Sequence, residues 1–258
     1  MRKEEPALRV RIRELAYRWR RYGYRRIHVL LRREGRTVNH KRVYRIYREE
    51  GLIVRKRKRK HVAVWRGEKP QAPTHPNARW SMDFVADATA QGHRLRTLNV
   101  VDDFTRESLA IEVDTSLPGG RVIRVLDRLA QERGLPEEIL TDNGPEFIGR
   151  ALDEWAYRHG VRQRFIEPGK PIQNAFVESF NGKFRDECLN EHWFLDVADA
   201  RGIIERWRRC YNEERPHSAL GNATPAEFAA RVSGLRSPSA PSDRTLESSG
   251  DCVVTGLS

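Results

Sequence analysis

The stretch WSMDFVADATAQGHRLRTLNVVDDFTRESLAIEV, residues 80–113, decides the fold. Ser81 to Asp87, Leu95 to Val101 and Leu109 to Val113 each read as a short strand, and turns separate them. Downstream the period changes. Gly119 to Gly134 carries Val122, Val125, Leu126 and Leu129 on one side, the spacing of an amphipathic helix. A strand at Glu138 to Thr141, a helix from Arg150 to His159 and a strand from Val161 to Ile166 follow. Three strands in hairpin-like succession, then alternating helix and strand, predict an α/β unit with a mixed sheet flanked by helices. Beyond Gly169, Ala175 to His192 and Val197 to Tyr211 read as two further helices. From about residue 233 the chain turns to SGLRSPSAPSDRTLESSG, and its Ser, Pro and Gly content predicts a disordered tail over 233–258.

Upstream of the sheet the chain reads as helices. Arg9 to Arg20 places Val10, Ile12, Leu15, Ala16 and Trp19 near helical spacing, and Arg25 to Arg33 repeats the pattern with Ile27, Leu30 and Leu31. Gly35 supplies a turn, Asn39 an N-cap, and Val43, Ile46 and Tyr47 line a third helix that stops at Gly51. Two short helices around a glycine, the second rich in Lys41, Arg42, Arg45 and Arg48, form a helix-turn-helix-like pattern over residues 1–54. Those four cations are candidate DNA contacts. Arg55, Lys56, Arg57, Lys58, Arg59 and Lys60 then form an unbroken basic run, which reads as an exposed arm that can meet phosphates. With the proline-bearing GEKPQAPTHPNAR that follows, it makes a linker over 55–78.

Charge is divided unevenly. The 258 residues carry a formal net charge of +12. Residues 1–70 alone hold 25 Lys and Arg against 7 Asp and Glu, so the remainder is mildly acidic. Basicity gathered at one end points to a polyanion, most often nucleic acid. No apolar run reaches the ~18–20 residues that a membrane helix needs, and MRKEEPALRV lacks the apolar core of a secretory signal. Cys188, Cys210 and Cys252 form no C-x-x-C pair, which argues against a disulfide framework or a cysteine zinc finger. The expectation is a soluble, cytoplasmic protein without a membrane partner. No P-loop or G-x-G-x-x-G occurs, so ATP and dinucleotides are not expected.

Three acids stand out by their settings. Asp83 lies in WSMDFV on the first strand, Asp142 in ILTDNGPEF where a strand ends, and Glu178 in NAFVESFNGKF near the start of a helix. Acids that leave a sheet at strand ends, joined by one from a neighbouring helix, can converge on hard divalent cations. Composition does not choose among them, because Asp87, Asp102, Asp103 and Glu146 are equally acidic. Thirty-five residues separate Asp142 from Glu178.

That spacing resembles the D,D-35-E pattern of retroviral-integrase-like transposases. The words WSMDFV, VVDDFTRESLAIEV, LTDNGPEF, EPGKPIQNAFVESFNGKFRDECLN and YNEERPHSALGNATPAEF are similar to the second-frame product of two-frame bacterial insertion sequences. YGYRRIHVLLRREGRTVNHKRVYRIYREEGL resembles the segment that precedes that core. The resemblance spans roughly residues 8–230. It implies a ribonuclease-H-like catalytic core over residues 79–232, with Asp83, Asp142 and Glu178 holding two Mg2+ or Mn2+ ions. It implies water attack at the element's end, then attack of the freed 3′-hydroxyl on a second strand. It also implies double-stranded DNA as partner (element ends and target), a homo-oligomer on that DNA, and an upstream-frame product or a fusion with it.

Lys170, Gln173, Lys183 and Arg185 are further candidate DNA contacts; Arg185 follows Glu178 by seven residues, two turns along the same helical face. Glu187 falls on the opposite face and is expected to be solvated or capping. Arg215, Pro216 and His217 mark a segment to which no catalytic role is given. A DNA-binding regulator without catalysis and a ribonuclease-H-type hydrolase are the competing readings. Retention of all three acids disfavours the first, and the basic front disfavours the second.

Overall fold

The computed structural model describes residues 5–54, 72–167 and 174–234. The basic run 55–60, Gly169, Lys170, Gln173 and all of the expected 233–258 tail from residue 235 onward lie outside the described residues. The chain divides into two compact units, one before and one after the boundary between Gly67 and Glu68.

The first unit packs three helices, α1 (Glu5–Arg18), α2 (Tyr24–Arg33) and α3 (His40–Glu49). Ile12, Leu15, Ile27, Leu31, Val43 and Ile46 recur at three- and four-residue spacing and meet in one core. Gly35 sits at φ +76°, a conformation that favours glycine, and so permits the turn between α2 and α3. Asn39 caps α3, its side chain accepting from the Lys41 N–H at 2.8 Å. Trp19, expected within the first helix, lies just past its end and stacks on Tyr22 with ring centroids 4.8 Å apart.

The second unit is built on five strands: β1 (Trp80–Ala88), β2 (Arg94–Asp102), β3 (Ser108–Asp114), β4 (Glu138–Thr141) and β5 (Arg162–Phe165). The order is β3-β2-β1-β4-β5, antiparallel across the first three and parallel from β1 to β4 to β5. Alternation assigns the two faces. Trp80 and Met82 of β1, with Leu98 and Val100 of β2, face a core closed by α4 (Gly119–Arg133) and α5 (Arg150–His159). Val85, Leu95, Val101 and Val113 face a second core closed by α6 (Ala175–Glu187) and α7 (Val197–Glu213). Asp83 therefore points to the α6 side, between Ser81 and Val85 on its strand.

Helix α6 is shorter than the sequence reading. It ends at Glu187, and a 3-10 turn, Leu189–Glu191, takes its place before His192. Cys188 and Leu189 are both buried there, and the backbone turns at Cys188 to put them inside. The reading also missed α8 (Pro225–Val232). Its signal was present: Thr224 and Glu227 form a reciprocal capping box, with Pro225 at the first helical position.

Candidate active site

Strand pairing brings two of the acids together. Ser81 lies opposite Leu140 in the parallel β1–β4 pair, so the same register carried two residues on sets Asp83 beside Asp142. Both then emerge at the carboxyl end of a parallel pair, where clefts form in open sheets. Glu178 comes from the first turn of α6, exposed, between buried Val177 and Phe180.

Asp83 is held on both oxygens. Oδ1 accepts from the Phe84 N–H at 2.7 Å, and Oδ2 accepts from Asn181 Nδ2 at 2.7 Å. Asn181 in turn accepts at Oδ1 from Asn99 Nδ2 at 2.6 Å. Asn99 is fully buried on β2 directly opposite Asp83 in register. Burial, with the nearby charges of Asp142 and Glu178, pushes the Asp83 carboxyl up to about 6 against its hydrogen bonds. Burial also raises Glu178. Asp142 Oδ1 accepts from the Gly144 N–H at 3.0 Å, and a methyl group at Gly144 would stand 3.0 Å from that oxygen.

The competing acids have other partners. Asp102 accepts from the backbone N–H groups of Asn77, Phe104 and Thr105 at 2.8–2.9 Å and so shapes the β2–β3 turn. Asp103 is buried under Arg79, whose Nε donates at 2.6 Å, and Ser81, whose Oγ donates at 2.8 Å. Glu146 is ion-paired to Arg96; burial raises its carboxyl, but Arg96, a backbone hydrogen bond and the charge of Arg94 together hold it below the usual range. Asp87 turns back on its own strand, accepting from the Ala88 N–H at 2.8 Å. Among the described residues no cation pairs with Asp83, Asp142 or Glu178.

Such a group of hard oxygen donors, mutually repelling and without a basic partner, suits a divalent cation in chemistry and in charge. Among the described residues no three acid, imidazole or thiol groups already lie close enough to hold one. Asp83 thus stands within Coulombic reach of both Asp142 and Glu178, while Asp83 and Asp142 are still engaged by local donors.

Helix α6 is anchored along its length. In its first turn Phe176 stacks under the Arg106 guanidinium, 3.6 Å from the ring centre, with Arg79 at 5.8 Å. At its end Glu187 receives two hydrogen bonds from Arg215, at 2.7 and 2.6 Å. Arg215 is 2% exposed, so Glu187 is neither solvated nor capping, which corrects the sequence expectation. His217 Nδ1 lies 2.8 Å from the Arg215 carbonyl oxygen, and its ring packs edge-on to Tyr211. The RPH segment, given no role in the sequence, fixes the end of the helix that carries Glu178. Asn181 was also missed, although it lies one turn after Glu178 on the same face.

The remaining candidates are dispersed. Arg185 is exposed on α6, and Lys183 donates to Ser179 Oγ at 3.1 Å. In the first unit Arg42 and Arg45 are ion-paired to Glu5 at 3.4 and 3.0 Å, while Lys41 and Arg48 are exposed.

Comparison with known proteins fits this architecture. Residues 73–171 match the integrase core domain, residues 159–225 match a further integrase core domain description, and residues 2–61 match an HTH-like domain. The chain is 54% identical over 228 residues to a 31.7 kDa protein of insertion element IS407 from Burkholderia multivorans, covering 88% of this chain and 82% of that protein. It is 30% identical over 226 residues to transposase InsD of insertion element IS2D from Escherichia coli, covering 80% and 73%. The chain belongs to the integrase-core transposases of bacterial insertion sequences.

The transposase also spans 65% of a 39.2 kDa protein of insertion element IS476 from Xanthomonas euvesicatoria, at 55% identity over 224 residues and 87% of this chain. In fold it resembles a chain of the simian T-cell lymphotropic virus intasome, solved with PP2A regulatory subunit B56 gamma. The TM-score is 0.56 at 16% identity, over 89% of this chain and 77% of the other. The core is thus ribonuclease-H-like, and the activity is that of a DDE transposase, a polynucleotidyl transferase that uses divalent metal ions. No described helix is long and apolar enough to cross a membrane.

Proposed function

We propose that Asp83, Asp142 and Glu178 are the catalytic carboxylates, and that together they hold two Mg2+ or Mn2+ ions. The observation that carries this reading is the placement of Asp83, which lies beside Asp142 in strand register and within reach of the charges of both Asp142 and Glu178. The cations, when bound, supply the positive charge that stabilises the attacking and leaving oxygens of an in-line displacement. The chain's own residues do the rest. Asp83 is oriented by Phe84 N–H and Asn181, Asp142 by Gly144 N–H, and Glu178 is delivered by the anchored α6. Arg185, two turns beyond Glu178, holds a DNA phosphate beside the acids. The displacement needs no covalent protein–DNA link: water first frees a 3′-hydroxyl at the element's end, and that hydroxyl then attacks the target strand.

In this reading residues 1–54 form a DNA-binding domain, 55–78 a basic linker, 79–232 the catalytic core and 233–258 a tail. The arm Arg55 to Lys60, with Lys170, Gln173 and Lys183, adds phosphate contacts. The partners are duplex DNA at the element ends and the target, and further copies of this chain on that DNA. A product of the upstream frame joins them, a role the extra length of the IS476 relative supports. The protein works in the bacterial cytoplasm, at the nucleoid when bound.

The test is strand joining by a pre-cleaved duplex from the element's end in Mg2+, with gel-shift binding measured on the same samples. Asp83→Asn, Asp142→Asn and Glu178→Gln are each expected to lose joining while DNA binding persists. Near-normal joining by any one of them removes that residue from the site.

A further inference from the structure

The basic residues of α3 do not share one face. At 3.6 residues per turn, positions 42, 45 and 49 fall together, and positions 41, 44 and 48 fall about 100° away. The first set is consumed within the unit. Arg42 and Arg45 pair with Glu5 of α1 at 3.4 and 3.0 Å, and Arg45 pairs with Glu49 at 2.9 Å. Arg9 of α1 answers from the other side, pairing with Glu49 and, at 2.9 Å, with Glu50. This ladder joins α1 to α3 and leaves its cations facing carboxylates.

The second set is open. Lys41 and Arg48 are exposed, and so are Arg25 and Arg32 of α2; among the described residues none of the four pairs with a carboxylate. Aromatic rings tie the two helices into one surface. Tyr44 lies 4.7 Å from Tyr24, with Arg48 over the Tyr44 ring at 5.8 Å and Arg25 over the Tyr24 ring at 5.9 Å. Tyr44 is 44% exposed. His28 packs against His40 at 6.1 Å, and Arg32 lines the same depression as both. Uncompensated cations interleaved with exposed rings make a surface that attracts phosphates and meets base edges.

We infer that this α2–α3 face, carrying Arg25, Arg32, Lys41, Tyr44 and Arg48, is the duplex-DNA contact of the first unit, and that Arg42 and Arg45 serve the helix ladder. The inference rests on reading the first unit as DNA-binding, and it divides the four basic residues of α3 into two pairs with different work. A helix face of this kind fits the major groove, about 12 Å wide, with Tyr44 central and the cations toward the backbones.

The experiment uses the full chain, a fluorescein-labelled 30-base-pair mixed-sequence duplex, and anisotropy titrations over a KCl series. Removing one cation that neutralises a phosphate flattens the log–log salt slope by about 0.9, so K41Q/R48Q should flatten it by about 2. Tyr44→Ala should weaken binding at every salt concentration with the slope unchanged, because a ring releases no counterion. R42Q/R45Q should keep the wild-type slope. Glu5→Gln, which removes the carboxylate that Arg42 and Arg45 share while retaining both arginines, should also keep it, and it covers the case in which the double variant does not fold. A flattened slope for folded R42Q/R45Q, a steeper slope for Glu5→Gln, or an unchanged slope for K41Q/R48Q overturns the assignment. A wild-type slope near zero would instead count against the DNA-binding reading itself.

Discussion

Asp83→Asn should make the metal-free chain more stable while ending its chemistry. The wild-type carboxyl is pushed from 3.8 up to about 6, first by burial and then by Asp142 and Glu178. Two units correspond to about 3 kcal/mol of penalty on the charged form; with solvent relaxation, about 1–3 kcal/mol is expected. The amide can be seated without steric change. Rotating the Asn181 amide turns its oxygen toward position 83, and a matching rotation of Asn99 turns its Oδ1, which has no partner among the described residues, toward the Asn181 NH2. At about 2–4 °C per kcal/mol for a unit of this size, melting at pH 7 without divalent ions should rise by roughly 2–12 °C.

The pH dependence carries the sign. Between about pH 4 and 6 the folded wild type keeps a proton that the unfolded chain has released, so its stability falls as pH rises through that window. The variant lacks this term, so its advantage should be complete above about pH 6 and gone below about pH 4. Added Mg2+ should raise the melting point of the wild type and close the gap, because the metal binds the folded state alone. A variant no more stable at pH 7, or equally advantaged at pH 3.5, would refute the reasoning about the acid cluster.

Gly144→Ala should lower strand joining at least tenfold and weaken Mg2+-dependent stabilisation, because its methyl would press on Asp142 Oδ1 from 3.0 Å; unchanged Mg2+ response would mean that the Asp142 carboxylate has room to move. Glu187→Gln should destabilise the fold by about 3–5 kcal/mol in urea melts, since it removes the charge of a carboxylate that takes two hydrogen bonds from the buried Arg215 cation, and a loss under 1 kcal/mol would contradict that pairing. Replacing all six residues from Arg55 to Lys60 with Ala should flatten the salt slope of DNA binding by at most about 5, measured by gel shift, and no change would show that the run meets no phosphate.

The strand order of the core was not in the sequence, but its consequences were. Short strand-like runs separated by turns located β1, β2 and β3 to within a residue, because strands packed on both faces read as short, near-continuous apolar runs. The choice of Asp83, Asp142 and Glu178 over Asp102, Asp103 and Glu146 was not legible from acidity. It depends on which acids find partners, and those partners lie 22 to 50 residues away (Ser81 and Arg79 for Asp103, Arg96 for Glu146). Local patterns describe neighbours along one element, whereas these contacts are made by sheet register and chain crossing. The same limit explains Arg42 and Arg45, which read as free recognition-helix cations until Glu5, about 40 residues away, is seen against them.

The site's construction follows from an asymmetry among its three acids. Asp83 sits on β1 and Asp142 directly follows β4, the strand that pairs with it, so the sheet backbone carries both. Glu178 is exposed on a helix, and no described side chain holds its carboxylate. Its position can be reproducible only if α6 is. Phe176 is gripped between Arg79 and Arg106 at one end, Asn181 is bonded to Asp83 and to Asn99 in the middle, and Glu187 is locked by Arg215 at the other end. The middle contact joins the helix to Asp83, so a shift of α6 along its axis would break the Asn181 bond as it moved Glu178. Rigidity of the rod substitutes for direct restraint of the side chain, and the carboxylate stays free to turn toward a cation. The buried arginine of the RPH segment, 37 residues beyond Glu178, belongs to that arrangement as much as the residues beside the acid do.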